Sequence, residues 1–361
     1  MNKVPEKEKR IRIGITHGDL NSISYEVIIK TFLDPRILEL FTPILYGSSK
    51  IASYHRKSLN ITDFSFNLIK RPELANPKRP NIYNILDQEV KIELGKSTKI
   101  AGELALLSLE TATKDLHNNL IDVLVTGPIN KSNIQSGSFD FPGHTEYLAK
   151  KFNTKDYLML MVSEDLRVGA ITGHIPLKDV APSITAELII DKVQILNDSL
   201  IKDFRIRKPK IAILGLNPHA SDESLHGNEE EEIIIPAIKQ AFDKNILVYG
   251  PYPADGFFGS SKYTKFDGIL AMYHDQAMIP FKTMASKSGV NFTAGLPIVR
   301  TSPSHGTAFD LAGKDSASPD SFRNALYLAC DIYKNRELHK ELNIDPLDIK
   351  IPENNSENKS A

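Results

Sequence analysis

Short apolar, β-branched runs alternate along this chain with stretches whose apolar positions recur every three or four residues. IRIGIT (11–16), PILYG (43–47), DVLVTG (122–127), YLMLMV (157–162), RVGAIT (167–172), KIAILG (210–215), ILVYG (246–250) and DGILAMY (267–273) predict buried strands, most of them running into a turn residue. The stretch from Ser24 to about Phe32 predicts a helix. Residues 100–116 predict a longer one, with Ala105, Leu109, Ala112 and Leu116 on one face. A third follows Thr185, with Ile189, Val193, Leu196 and Leu200 on one stripe. Strands apolar at nearly every position, alternating with helices, imply a mostly parallel sheet covered on both faces. The expected fold class is α/β, two α/β/α domains with a cleft between them.

The chain has 361 residues, enough for two cores at roughly 150 residues per domain. No linker or internal repeat marks the boundary. A break near Thr126–Gly127 and a return near Thr301 give a discontinuous domain of 1–126 with 301–350, and a second of 127–300. The polar tail 351–361 is expected to be disordered. Lys plus Arg number 44 against 45 Asp plus Glu, so no basic footprint for nucleic acid or membrane exists. The one cysteine, Cys330, sits in an apolar stretch and reads as a core residue, and no internal disulfide is possible. The charged MNKVPEKEKRIR start lacks a signal-peptide core, and no apolar run reaches about 18 residues. A cytoplasmic enzyme is the expected class.

In α/β sheets ligands bind at the carboxyl ends of strands, so polar residues just past an apolar run are the candidates. Three of ten histidines stand there: His174 after RVGAIT, His219 after KIAILGLNP, and His274, followed by Asp275, after GILAMY. Neutral imidazole is a common ligand for zinc and similar ions, and three such ligands leave the ion its full charge. The bland alternative is three hydrogen-bonded loop residues, and spacings of 45 and 55 match no compact metal motif. FPGHTEYLA (141–149) sets His144 and Thr145 at a helix start, which suits an oxyanion or, more plainly, a cap made by Thr145. Lys282, Asn291 and Arg300 form a third group able to grip a carboxylate or phosphate, though singly each reads as a surface residue. PSHGTAFDLAGK (303–314) is a Gly-bearing turn but not a Walker loop, and the chain holds no G-x-G-x-x-G, so a Rossmann site is unsupported.

Together these segments resemble the 4-hydroxythreonine-4-phosphate dehydrogenase family of vitamin B6 synthesis. The matching stretches are TGPINK (126–131), FPGHTEYLA, TGHIPL (172–177), GLNPHASD (215–222), GPYPADGFF (250–258), YHDQAMIPFK (273–282), GVNFTAGLPIVRTSPSHGTAFDLAGK (289–314) and, more loosely, THGDLNSISYEVI (16–28). The resemblance implies an isopropylmalate-dehydrogenase-like fold, with 1–126 and 301–350 on the cofactor side and 127–300 carrying substrate, metal and dimer contacts. It implies oxidation of 4-phosphooxy-L-threonine by NAD or NADP, then loss of CO2 to 3-amino-2-oxopropyl phosphate. His174, His219 and His274 fall on metal-ligand positions for one divalent ion (zinc, magnesium or cobalt). His144, Thr145, Lys282, Asn291 and Arg300 fall on substrate positions, with Lys282 and Asp275 also set among the catalytic residues. His305, Gly306, Thr307 and Asp310 lie in a loop like the adenine-side loop of isopropylmalate and isocitrate dehydrogenases. The family also implies a homodimer with its site at the subunit interface.

This chain departs from the family at Gly18–Glu26, where a Gly- and Pro-rich loop has gained larger residues. That leaves open a paralogue acting on threonate or erythronate 4-phosphate. A protein on the same scaffold that binds a ligand without catalysis is the reading from another class.

Overall fold

Twelve strands hydrogen-bond into one sheet in the computed structural model, which describes residues 10–86, 88–135 and 139–344. They are β1 (Arg12–Thr16), β2 (Thr42–Gly47), β3 (Asn67–Ile69), β4 (Asn81–Asn84), β5 (Val123–Thr126), β6 (Leu158–Ser163), β7 (Leu166–Ala170), β8 (Lys210–Leu214), β9 (Leu247–Tyr252), β10 (Gly268–Ala271), β11 (Val290–Ala294) and β12 (Arg300–Pro303). All eight predicted strands are present within a residue or two. β3, β4, β11 and β12 were not predicted. The first two are short and partly polar, and the last two place Asn291, Thr293, Arg300 and Ser302 at alternate positions, which masks the apolar pattern.

The sheet order is β3-β4-β2-β1-β5-β12-β11-β6-β7-β10-β8-β9. Strands from residues 12–126, with β12, fill one half, and strands from 158–294 fill the other. Each outer part is parallel. The three pairings β12–β11, β11–β6 and β6–β7 are antiparallel. Three reversals make β7, β10, β8 and β9 run opposite to β1, β2, β4 and β5. The class is therefore α/β with a mixed, mostly parallel sheet.

The helices are α1 (Ser24–Phe32), α2 (Ser49–Ser58), α3 (Lys99–His117), α4 (His144–Lys151), α5 (Val180–Ser183), α6 (Ala186–Lys202), α7 (Ile235–Asp243), α8 (Ala254–Gly259), α9 (His274–Met284) and α10 (Asp320–Leu342). Thr98 caps α3 by accepting from the Ala101 N–H, and Thr185 caps α6 by accepting from Leu188. The predicted stripes of both helices are buried. Truncating one member, Leu196→Ala, would cost about 2–5 kcal/mol through the cavity it leaves. On one face α1, α6, α7 and α10 pack over Ile13, Val123, Val125, Leu160, Phe292 and Leu270. On the other, α3 and α4 cover Ile44, Tyr46 and Leu124, while α8 and α9 cover Val168, Ala212 and Ile269. The predicted tail 351–361 lies outside the described residues. Among the described residues no helix is long and apolar enough to cross a membrane.

Candidate active site

On the second face the helix layer is interrupted over the antiparallel centre of the sheet. There β12, β11 and β6 present Arg300 and Ser302, Asn291, and Met159 and Met161 to a cavity of about 300 Å³, the size of a small metabolite. The alternate residues Leu160, Val162, Val290 and Phe292 go to the opposite core, as strand pleating requires. From one side the cavity receives Gly127 and Pro128 after β5, with His144, Thr145 and Glu146 at the start of α4. His174 after β7 enters from the other side with His274 and Lys282 of α9. Opposed strand directions would send the two sets of strand ends apart. The gap over the central strands is what brings them to one place.

Arg300 is 3% exposed and lies under the cavity. Its Nε and Nη2 donate to Thr126 Oγ1 at 3.1 and 2.6 Å, and Nη1 reaches Thr293 Oγ1 at 3.5 Å. Burial drags its pKa down to about 10, and the nearby Glu146 charge opposes that only in part. A guanidinium buried among hydroxyls is costly until an anion joins it. Three buried polar atoms on the same walls have no partner: His144 Nε2, Asn291 Oδ1 and His305 Nε2. Buried polar atoms call for a partner, and these three differ from the other unpartnered atoms among the described residues in lying on this cavity wall, where a ligand can supply one. Burial, then Arg300 and Lys131, hold His144 well below its ordinary pKa, so its ring is neutral near pH 7. α4 and α9 both begin at the cavity with N-cap residues that make no side-chain cap bond, so their first turns present N–H groups to an anion, apart from the Glu146 N–H taken by its own carboxylate.

The His174 and His274 rings lie side by side, tilted by 42°, with centroids 5.3 Å apart. Asp275 Oδ1 lies 2.7 Å from His274 Nδ1, and Glu146 Oε1 lies 3.9 Å from His174 Nδ1. The Asp275 carboxylate at His274 Nδ1 leaves Nε2 of that ring as the free nitrogen, the arrangement that orients imidazole toward a metal, while Glu146 is only an electrostatic neighbour of His174. Burial pushes Glu146 up, but His174 and the residue's own backbone N–H outweigh it and leave the carboxyl below its usual range.

The profile of the family described as pyridoxal phosphate biosynthetic protein PdxA matches residues 39–329. The chain belongs to the PdxA family. It is 53% identical to a 4-hydroxythreonine-4-phosphate dehydrogenase of Bacteroides thetaiotaomicron, over 94% of each chain. A crystal structure of 4-hydroxythreonine-4-phosphate dehydrogenase from Klebsiella pneumoniae superposes with a TM-score of 0.75 at 32% identity, covering 90% of this chain and 100% of that one. An Oceanobacillus iheyensis protein provisionally named D-threonate 4-phosphate dehydrogenase is 37% identical, over 90% and 98% of the two chains.

Of the residues the PdxA resemblance singled out, His144, Thr145, His174, His274, Lys282, Asn291, Arg300, His305 and Gly306 line the one cavity. Thr145 is not the cap of α4, since that position is Gly143; its hydroxyl faces Thr293 Oγ1 at 3.3 Å. Thr307, Asp310 and Asp275 are not on the cavity wall. His219 does not join His174 and His274 as its strand-end position suggested. Among the described residues no group of three or more His, Cys, Asp or Glu side chains could hold a metal. His219 is exposed and its ring neighbour is His226, at 6.1 Å. The reason is local: His219 to Ser224 all have φ between 49° and 69°, a left-handed turn that carries the ring outward. Each such residue with a Cβ costs about 1–2 kcal/mol, so the turn must be held from outside.

The departing loop is also located. Asp19 to Glu26 are buried and none lines the cavity. The Ile23 N–H donates to Thr307 O and the Asp19 N–H to Pro128 O, so the larger residues bear on the 305–314 segment and on the turn after β5. Glu146, Lys131, Met159, Met161 and Ser302 were missed. Glu146 stood inside the quoted FPGHTEYLA stretch, one position past Thr145, which was a usable signal.

Proposed function

We propose that this chain is an NAD- or NADP-dependent oxidoreductase that converts 4-phosphooxy-L-threonine to 3-amino-2-oxopropyl phosphate and CO2 for pyridoxal phosphate synthesis. The observation that carries the reading is Arg300, buried under the cavity without a carboxylate, beside the unpartnered His144 and Asn291. A substrate with a phosphate and a carboxylate supplies the missing anions. Arg300, the α4 amides and the lysines Lys131 and Lys282 bind and orient it, while Met159 and Met161 exclude water from the cavity floor. Neutral His144 offers a ring nitrogen to a hydroxyl or phosphate oxygen without adding charge.

His174 and His274 suit one divalent ion, because their rings are neighbours at one end of the cavity and Asp275 holds His274 Nδ1, leaving its Nε2 free. When bound, that ion supplies Lewis acidity for oxidation and for carbanion stabilisation during CO2 loss. His219, exposed on its turn, suits delivery to a second copy's site, and this supports a homodimer whose cavities are completed across the interface. His305 to Asp310 would hold the dinucleotide, with His305 and Gly306 on the cavity wall. The two halves of the sheet are read as cofactor-side and substrate-side domains.

The amino substrate is favoured over a sugar acid because the altered 18–26 loop does not reach the cavity. NADH formation should be measured from 4-phosphorylated four-carbon acids with and without the 2-amine. Turnover of the amino acid alone is expected. Turnover of threonate or erythronate phosphate alone would move the assignment to the paralogue, and turnover of neither would overturn it. EDTA should abolish activity, with zinc, magnesium or cobalt restoring it.

A further inference from the structure

The left-handed turn carrying His219 is held by the buried Ser221 within it and, at its root, by a buried carboxylate. After β8 the chain passes Gly215, Leu216 and Asn217 before entering six consecutive residues of positive φ. Residues with a Cβ rarely adopt this backbone even singly, so a run of six needs external restraint. Glu230 opens the π-helical turn Glu230–Ile234 and is fully buried. Its Oε1 accepts the Leu216 and Asn217 N–H groups, both at 2.8 Å, and its Oε2 accepts Asn217 Nδ2 at 2.8 Å. Asn217 Nδ2 also donates to Glu229 Oε2 at 2.8 Å. Gly215, next to this carboxylate, accepts from Gln276 Nε2 through its carbonyl at 2.7 Å, and Gln276 Oε1 accepts the Met272 N–H just before His274. The roots of the His219 and His274 segments are thus tied together.

We propose that Glu230 is a positioning residue that fixes His219 for metal binding, acting through the 216–217 backbone and the Asn217 amide. It never touches the imidazole. A carboxylate is required because three donors converge on two oxygens, and only an acceptor at both positions satisfies them. π-Helical turns recur at functional sites, and here the turn sets Glu230 under the loop. The proposal rests on reading His219 as a metal ligand.

Glu230→Gln keeps size and shape but sets an NH2 group against Asn217 Nδ2. In the full chain, the change should raise amide hydrogen exchange in residues 216–224 about tenfold. Zinc affinity, read by competition titration with zinc alone, should fall about 10–100-fold. kcat should drop more than KM rises, since Arg300 and its neighbours still hold substrate. Adding Asn217→Asp and Glu229→Gln to Glu230→Gln restores the donor-acceptor match and should recover zinc affinity. If Glu230→Gln does not fold, Asn217→Ser, which removes the side-chain contacts to Glu230 Oε2 and Glu229 Oε2 and keeps both backbone ones to Oε1, should still loosen the same amides. Unchanged exchange and zinc affinity in the variant that folds would overturn the proposal, as would failure of the compensated variant to recover. His219→Ala separates the two ideas. If it loses zinc while Glu230→Gln keeps it, only the positioning role falls. If it keeps zinc, the ligand reading falls, and exchange alone then judges whether Glu230 holds the turn.

Discussion

Two arginines from opposite faces of the sheet show how this chain treats a cation it needs for folding and one it leaves for a ligand. Arg336, on α10, meets Asp203 with Nε at 2.6 Å and Nη2 at 3.3 Å, and gives Nη1 to the carbonyls of Leu296 and Ile298. Asp203 is itself buried and also accepts from Ser199. Every strong direction of that guanidinium is used. Arg300 is more deeply buried, yet its partners are the hydroxyls of Thr126 and Thr293. Hydroxyls orient a guanidinium without neutralising it. The difference teaches that burial alone does not distinguish a structural cation from a binding one. The source of the countercharge does.

The largest effect tests that comparison directly. Arg300→Met should lower kcat/KM by about 100-fold or more, near 3 kcal/mol at 1.4 kcal/mol per tenfold, with no loss of unfolding free energy. Arg336→Met should do the reverse. It strands Asp203 in the core and should lower stability by about 3 kcal/mol, with kcat/KM changed less than about threefold. Steady-state kinetics and urea unfolding on both variants decide it. Equal destabilisation by the two changes would break the distinction.

A comparable contrast holds for histidines. His17 and His55 stack on either side of Tyr25 in the core, and burial lowers each to about 4 from 6.5. With folded values below the unfolded one, the unfolded chain takes up protons first on acidification. Their contribution is complete above pH 6.5 and is lost as pH falls toward 4, by up to about 3 kcal/mol per ring. His55→Gln retains a donor for Leu20 O and should flatten the pH dependence of unfolding free energy by one ring's share. An unchanged slope would show that His55 protonates freely in the folded state. The smallest effect concerns Cys330, whose buried thiol is pushed up to about 12. Cys330→Ala should leave kcat/KM within about twofold, and a thiol reagent should label the native chain only on unfolding. Rapid native labelling would place the residue outside the core.

Much of the site was legible because its residues sit at element ends. His144 opens α4, His274 opens α9, and His174 follows β7 closely, so strand-end reasoning reached them. Arg300 was read from its chemistry and its family position as a substrate residue, but its burial was not foreseen, because nothing local reveals that a strand buries it. β11 and β12 were missed for a related reason: their polar alternate residues line the cavity, and function overwrote the apolar pattern. His219 passed the same strand-end test as His174 and failed to converge with it. Its displacement arises in six backbone dihedrals that His-Ala-Ser-Asp-Glu-Ser does not announce, since none is glycine.

The sequence by itself determined the α/β class, eight of the twelve strands, the helices α1, α3 and α6, the family, and nine of the residues that line the cavity. Periodicity and capping act over a few neighbours, so they can be read along the chain. Tertiary structure alone decided that the two parallel halves oppose each other, that the helix layer opens over β12, β11 and β6, and that Arg300 lacks a carboxylate while Arg336 has one. Those outcomes depend on pairings such as Arg300 with Thr126, 174 residues apart, and Arg336 with Asp203, 133 apart. No local pattern encodes which distant partner a buried charge will meet, and in this molecule that choice separates the binding site from the scaffold.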